Sequence, residues 1–148
     1  MREFRKAVAA DANAIADLYR ELVPDTSINI LAERISEIAA DKNTYLIVCD
    51  EQGDAIATAL VSLCNDVMFT RQPFAIIENV IVSKNYQREG IGKSLMDHIE
   101  AFCLASDCSK IMLLSNSGNR GAHHFYAAMG YDPDKKLGFI KKRKYFNN

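Results

Sequence analysis

The chain has 148 residues, 49% of them hydrophobic and 25% charged, which is enough for one domain with a sizeable core. Its net charge of −1 excludes a global field that would draw it to nucleic acid or to an anionic membrane. No apolar run spans a bilayer, and Met1-Arg2-Glu3-Phe4-Arg5-Lys6 lacks the apolar core of a signal peptide, so the expectation is a cytoplasmic protein.

In chain order, Glu3 to Val8 reads as a short first strand. Asp11 is placed to cap a helix with Ile15, Leu18, Tyr19 and Leu22 on one face, ended by Pro24. A second helix carries Ile28, Leu31, Ile35 and Ile38. Thr44 to Cys49 and Ala55 to about Leu63 form a hairpin around Glu51-Gln52-Gly53, and Asn65 to Pro73 is a loop. Ala75 to Val82 is almost wholly apolar and reads as a central strand covered on both faces. Gly90 to Ala105 is a helix with Ile91, Leu95, Ile99, Phe102 and Cys103 toward the core. Ile111 to Leu114 is a further strand, Ala122 to Met129 a short helix closed by Gly130, and Phe139 onward a last strand. That order predicts one α/β domain over residues 1–148 with a mixed sheet.

Between the central strand and the long helix stands Gln87-Arg88-Glu89-Gly90-Ile91-Gly92-Lys93-Ser94. Its ending, Gly-Lys-Ser, is shared with nucleotide phosphate loops, but those require a glycine where this chain has Gln87. The dinucleotide fingerprint requires one where it has Leu95. Two glycines still let a ligand approach the backbone, and the free amides and dipole of the first helical turn point at the same place. Arg88 and Lys93 add positive charge. The local physics favours a pyrophosphate, against the plainer reading of a glycine turn opening a helix.

At this loop the sequence resembles the GNAT superfamily of acetyl-CoA-dependent N-acetyltransferases. The superfamily motif Arg/Gln-x-x-Gly-x-Gly/Ala is matched by Gln87, Gly90 and Gly92. A later motif is matched by Asn119, Ala122, Phe125, Tyr126, Gly130 and Tyr131. The resemblance implies a GNAT-like α/β fold: a mixed, mostly antiparallel sheet with a splayed central strand pair and helices on both faces. It implies acetyl-CoA as cosubstrate and no metal. The backbone of Val80, Ile81 and Val82 would pair with the pantetheine arm. The amides of Arg88, Glu89, Gly90, Ile91, Gly92 and Lys93, introduced by Gln87, would cradle the pyrophosphate. Asn119 would hydrogen-bond the pantetheine, and Tyr126 would stand near the sulfur as acid to the departing thiolate, unless it is a core aromatic.

Glu78 is the candidate base. It interrupts an apolar strand, where a lone carboxylate is costly unless paired or facing a cleft. By parity it shares a face with Val80 and Val82, with Asn79 on the other. The competing reading is a structural carboxylate paired with an Arg or Lys. His98, His123 and His124 read as solvated surface residues, and Cys49, Cys64, Cys103 and Cys108 as buried, reduced thiols. Lys141-Lys142-Arg143-Lys144 reads as a solvated strand edge rather than a nucleic-acid patch. The expected activity is acetyl transfer to a primary amine, most simply of a small molecule, by direct attack. A peptide amine as acceptor and a non-catalytic CoA-binding module stay open, as does a homodimer, an assembly common in the superfamily.

Overall fold

The computed structural model describes residues 1–147. The chain divides after Leu113 into two compact units, which are taken separately. The first holds a five-stranded sheet in the order β1-β2-β3-β4-β5: Arg2–Lys6, Thr44–Glu51, Asp54–Cys64, Phe74–Val82 and Ile111–Leu113. The first four strands pair antiparallel and β5 joins β4 in parallel.

Helices α1 (Ala12–Leu22) and α2 (Ala32–Ala40) cover one face. Their Ile15 and Ile35 pack with Leu46, Val48 and Leu60 of the sheet. Full burial of such a side chain contributes about 1.5–3 kcal/mol. Helix α3 (Ile91–Ala105) covers the other face with Ile91, Leu95, Met96, Ile99 and Cys103, all buried. Its Phe102 packs on Tyr45, and its His98 is not solvated as the sequence suggested. The His98 ring stacks on Phe4, and its Nε2 shares a hydrogen bond with the Tyr45 hydroxyl at 3.1 Å. Burial lowers the His98 pKa, which favours the neutral ring.

Asp11 does not cap α1 with its side chain, as the sequence suggested. Its carboxylate takes a bidentate contact from Arg5, at 2.8 and 3.0 Å, and the Val8 amide at 2.8 Å. Arg5 also reaches Asp50 on β2, so one guanidinium ties the start of α1 to the first two strands. α2 begins four residues after Ile28, so that residue lies outside the helix.

The second unit holds α4 (Arg120–Ala128), capped by Asn119, whose Oδ1 accepts the Ala122 amide at 3.0 Å. Gly130, at φ +94°, turns the chain out of the helix, and the Tyr131 amide bonds back to the Tyr126 carbonyl at 3.0 Å. The expected last strand is not formed among the described residues. From Gly138 the chain runs without pairing into a single 3₁₀ turn at Arg143–Tyr145. Four consecutive cations lack the alternation that would give a strand one apolar face, and no neighbouring strand supplies a ladder for them.

The Arg5 guanidinium beside Asp11 holds its carboxyl below the usual carboxylate value. Such a group stabilises the fold above its unfolded pKa, and that contribution is lost as pH falls through the folded value. Asp11→Asn is therefore expected to lower stability by about 1.5–3 kcal/mol at neutral pH. The difference from wild type should shrink below about pH 4. Urea unfolding at several pH values checks both.

Candidate active site

The site begins where the sheet comes apart. β5 pairs with β4 only at Ala75, Ile76 and Ile77. Beyond Ile77, that side of β4 has no strand partner among the described residues. At the same point β4 carries a bulge against β3: Leu60 faces Glu78 and Thr58 faces Ile81, so one extra residue sits on β4. Asn79 absorbs it at φ +57°, a left-handed conformation that asparagine tolerates better than most residues. Its side chain hydrogen-bonds the hydroxyl of Tyr19 on α1.

The bulge overturns the parity argument. Residues opposite each other share a face, so Glu78 and Ile81 lie with Leu60 and Thr58 on the α1 side. Val82 lies with Ala57 on the α3 side. Nor is the strand covered throughout: Ala75 and Ile77 are buried, Glu78 and Asn79 are exposed, and Val80 to Val82 are half-buried. Glu78 makes no ion pair or hydrogen bond among the described residues, which leaves the paired structural reading without a partner.

An open cleft of about 410 Å³ lies along this strand end, lined by Arg20 and Glu21 of α1, Ile81, Lys84 and Gln87. Glu21 fixes its far wall, its carboxylate accepting the Lys84 amide at 2.8 Å and the Ser83 hydroxyl at 3.5 Å. The Gln87 side chain donates to the Val82 carbonyl at 3.2 Å, holding the loop to the strand end.

The loop itself is a cluster of inward-turned amides. Arg88 and Gly90 have φ of +66° and +78°, separated by one residue. Alternation of this kind makes successive N–H groups converge on an anion. The first helical amide to bond backward is that of Ser94, to the Gly90 carbonyl at 3.1 Å. The amides of Ile91, Gly92 and Lys93 therefore have no helical partner, and the positive end of the α3 dipole adds to them. Glu89 is held by Arg2, which also bonds Glu51. The Arg88 side chain has no partner among the described residues. Lys93 pairs with Asp97 at 2.7 Å, so its charge is already shared.

In the second unit, Tyr126 is half-buried against Phe125 and Tyr131, with ring centroids at 5.2 and 6.1 Å. Burial raises its pKa above the ordinary phenol value, so it stays protonated at neutral pH. His123 donates to the Asn116 carbonyl at 2.7 Å, and His124 is exposed. In the first unit the Cys103 thiol, buried and beside Cys108, is pushed up to about 12, which makes it a poor nucleophile.

Residues 12–131 match the Acetyltransferase (GNAT) family. The chain belongs to this family. It is an acetyl-CoA-dependent N-acetyltransferase with the GNAT fold. The chain is 24% identical over 139 residues to an aminoglycoside N(6')-acetyltransferase type 1 of Stenotrophomonas maltophilia, covering 93% of this chain and 90% of that one. A putative acetyltransferase from Agrobacterium tumefaciens superposes with a TM-score of 0.83 at 25% identity, over 95% of this chain and 99% of that chain. Glucosamine-6-phosphate N-acetyltransferase from Arabidopsis thaliana shares the fold, with a TM-score of 0.81 at 21% identity over 97% and 99% of the two chains. No helix among the described residues is long and apolar enough to cross a membrane.

Sequence reasoning found the glycine loop but missed the clamp that shapes its approach, Glu21 on Ser83 and Lys84. No local pattern announces a carboxylate 63 residues from the amide it accepts. On the reading that the loop holds phosphate, Gly92→Val should block backbone approach while leaving α3 folded. The loss of one charge-assisted hydrogen bond, about 1.5–3 kcal/mol, lowers acetyl-CoA affinity by about tenfold or more. Titration calorimetry on the folded variant measures it, and unchanged affinity would remove the loop from the site.

Proposed function

We propose that this acetyltransferase moves the acetyl group of acetyl-CoA to a primary amine of a small, polycationic amino sugar of the aminoglycoside type, by direct attack. The observation that carries the reading is the splayed end of β4: an exposed, unpaired carboxylate stands beside an open backbone edge that leads into the amide cluster at the start of α3. The acceptor class is supported by two relatives, each 24% identical and named an aminoglycoside N(6')-acetyltransferase. The charge balance agrees. Residues 1–113 carry 11 Lys and Arg against 17 Asp and Glu, a net of −6 that favours a cationic acceptor.

In this proposal the backbone of Val80, Ile81 and Val82 pairs with the pantetheine arm as an added strand would. The amides of Arg88 to Lys93 hold the pyrophosphate, with Gln87 keeping the loop closed on the strand. Asn119, already bonded through Oδ1 to its own helix, retains its amide NH₂ for a pantetheine carbonyl. Acetyl-CoA, when bound, supplies the thioester carbonyl that the amine attacks and a thiolate that leaves. Glu78 takes the proton from the attacking amine, directly or through one water. Tyr126 gives a proton or a hydrogen bond to the thiolate, and burial keeps its hydroxyl protonated through the working pH range.

The test is release of free thiol from acetyl-CoA with an acceptor panel: an aminoglycoside, glucosamine 6-phosphate, a linear polyamine and a peptide amine. Turnover with the aminoglycoside is expected, and turnover with the peptide alone would overturn the acceptor class. Thiol release with none of them would favour a binding module.

Glu78→Gln is expected to lower kcat by about 10²–10⁴-fold, with acetyl-CoA affinity nearly unchanged. A full rate at neutral pH would return Glu78 to a structural role.

Tyr126→Phe keeps the ring packing and should cost only about 1 kcal/mol of stability. Both kcat and kcat/KM should fall together by a factor within about 10²–10⁴. The loss should shrink with a thioester whose leaving thiol is more acidic. Wild-type single-turnover rates would make Tyr126 a packing residue only.

A further inference from the structure

The loop that opens α3 carries one residue that is out of place in an anion site. Between the two positive-φ positions, Arg88 and Gly90, stands Glu89, a carboxylate within the run of amides read as the pyrophosphate site. Like charges repel, so a bare carboxylate there would oppose the ligand that the amides attract. The cations of the loop do not answer it. Lys93 pairs with Asp97, and among the described residues Arg88 makes no ion pair with Glu89.

The partner comes from the other end of the chain. Arg2, on β1, donates through Nη2 to the Glu89 carboxylate, 87 positions away in sequence, and through Nε to Glu51 at 2.9 Å. Arg2 and Glu51 stand directly opposite each other in the β1–β2 ladder, so strand register fixes where the guanidinium sits. A planar fork with one nitrogen on each carboxylate has little freedom left. Exposed ion pairs of this kind contribute little to stability. What this pair changes is the charge that the loop presents to a ligand.

On the reading that this loop holds the pyrophosphate, we propose that Arg2 is a positioning residue for acetyl-CoA. It neutralises Glu89 and holds that side chain against β1, so that the loop meets the phosphates with its amides and without an opposing charge. Arg2 acts through Glu89 and touches no reacting atom. The contacts form one chain from sheet to loop: Glu51 fixes Arg2, Arg2 fixes Glu89, and Glu89 lies between the two residues whose backbone aims the amides. The harm done by removing Arg2 therefore comes from the carboxylate it leaves behind.

Titration calorimetry of acetyl-CoA into the full chain and three variants tests this, with circular dichroism confirming that each is folded. Arg2→Gln should weaken affinity about three- to tenfold at low ionic strength, where the phosphate charges meet a bare Glu89. The deficit should nearly vanish at about 1 M salt, where the screening length falls to about 3 Å. Arg2→Gln combined with Glu89→Gln should recover most of the lost affinity, because no carboxylate remains to repel the ligand. Gly92→Val separates the role of Arg2 from the reading beneath it. Affinity lost in Gly92→Val but kept in Arg2→Gln overturns the role of Arg2 alone, and affinity kept in both overturns the pyrophosphate site with it. A double variant as weak as Arg2→Gln, or a deficit that salt does not change, overturns the neutralisation and leaves Arg2 a mechanical tether.

Discussion

The structure of the site depends on one extra residue in β4. The bulge at Asn79 requires a left-handed backbone, and that residue is held by Tyr19 of α1. A non-glycine residue in this conformation costs of order 1 kcal/mol, and the surrounding pairing with β3 must over-determine it. In return the bulge does two things that an unbroken strand could not. It turns Ile81 rather than Val80 to the same face as Glu78. It also falls where β5 stops pairing, so the backbone of Val80 to Val82 is left with unpaired polar groups beside an open cleft. On the proposed reading, an amide-rich ligand pairs with this half-buried strand edge.

The loop after the strand is built on the same economy. Its amides are left unsatisfied by the helix geometry itself, because the first turn of α3 has no acceptors before it. Two positive-φ residues aim them together, and the fixings around them are all peripheral: Gln87 to the strand end, Glu89 to Arg2, Glu21 to Ser83 and Lys84. None of these contacts uses the amides themselves. On the proposed reading, the cluster is preorganised for the pyrophosphate and loses little freedom on binding it.

Much of this was legible in the sequence, and the parts that were not have physical reasons. The helices over 12–22 and 91–105 follow from apolar spacing at three and four residues, and the loop from Gly90 and Gly92. The bulge was hidden because period-two counting assumes an unbroken ladder, and nothing about Glu78-Asn79 within an Ile/Val run marks an insertion beyond the tolerance of asparagine for positive φ. His98 was read as solvated because it lies on the flank of its helix. Its partners, Phe4 and Tyr45, come from strands far away in sequence. Asp11 looked like a helix cap from composition alone; the bidentate fork of Arg5, six residues earlier, outbid the amides of the first turn. The final strand failed because propensity was counted without asking which strand it would pair with, and among the described residues it pairs with none.

The central claim is that one continuous surface, the splayed backbone of β4 and the amides opening α3, receives acetyl-CoA. Hydrogen–deuterium exchange of the protein with and without acetyl-CoA tests it most directly, because the proposed contacts are backbone amides. The account predicts slowed exchange at Val80 to Val82 and at Arg88 to Lys93, with no such protection from ATP. Unchanged exchange in both segments at saturating acetyl-CoA, or equal protection by ATP, would contradict it.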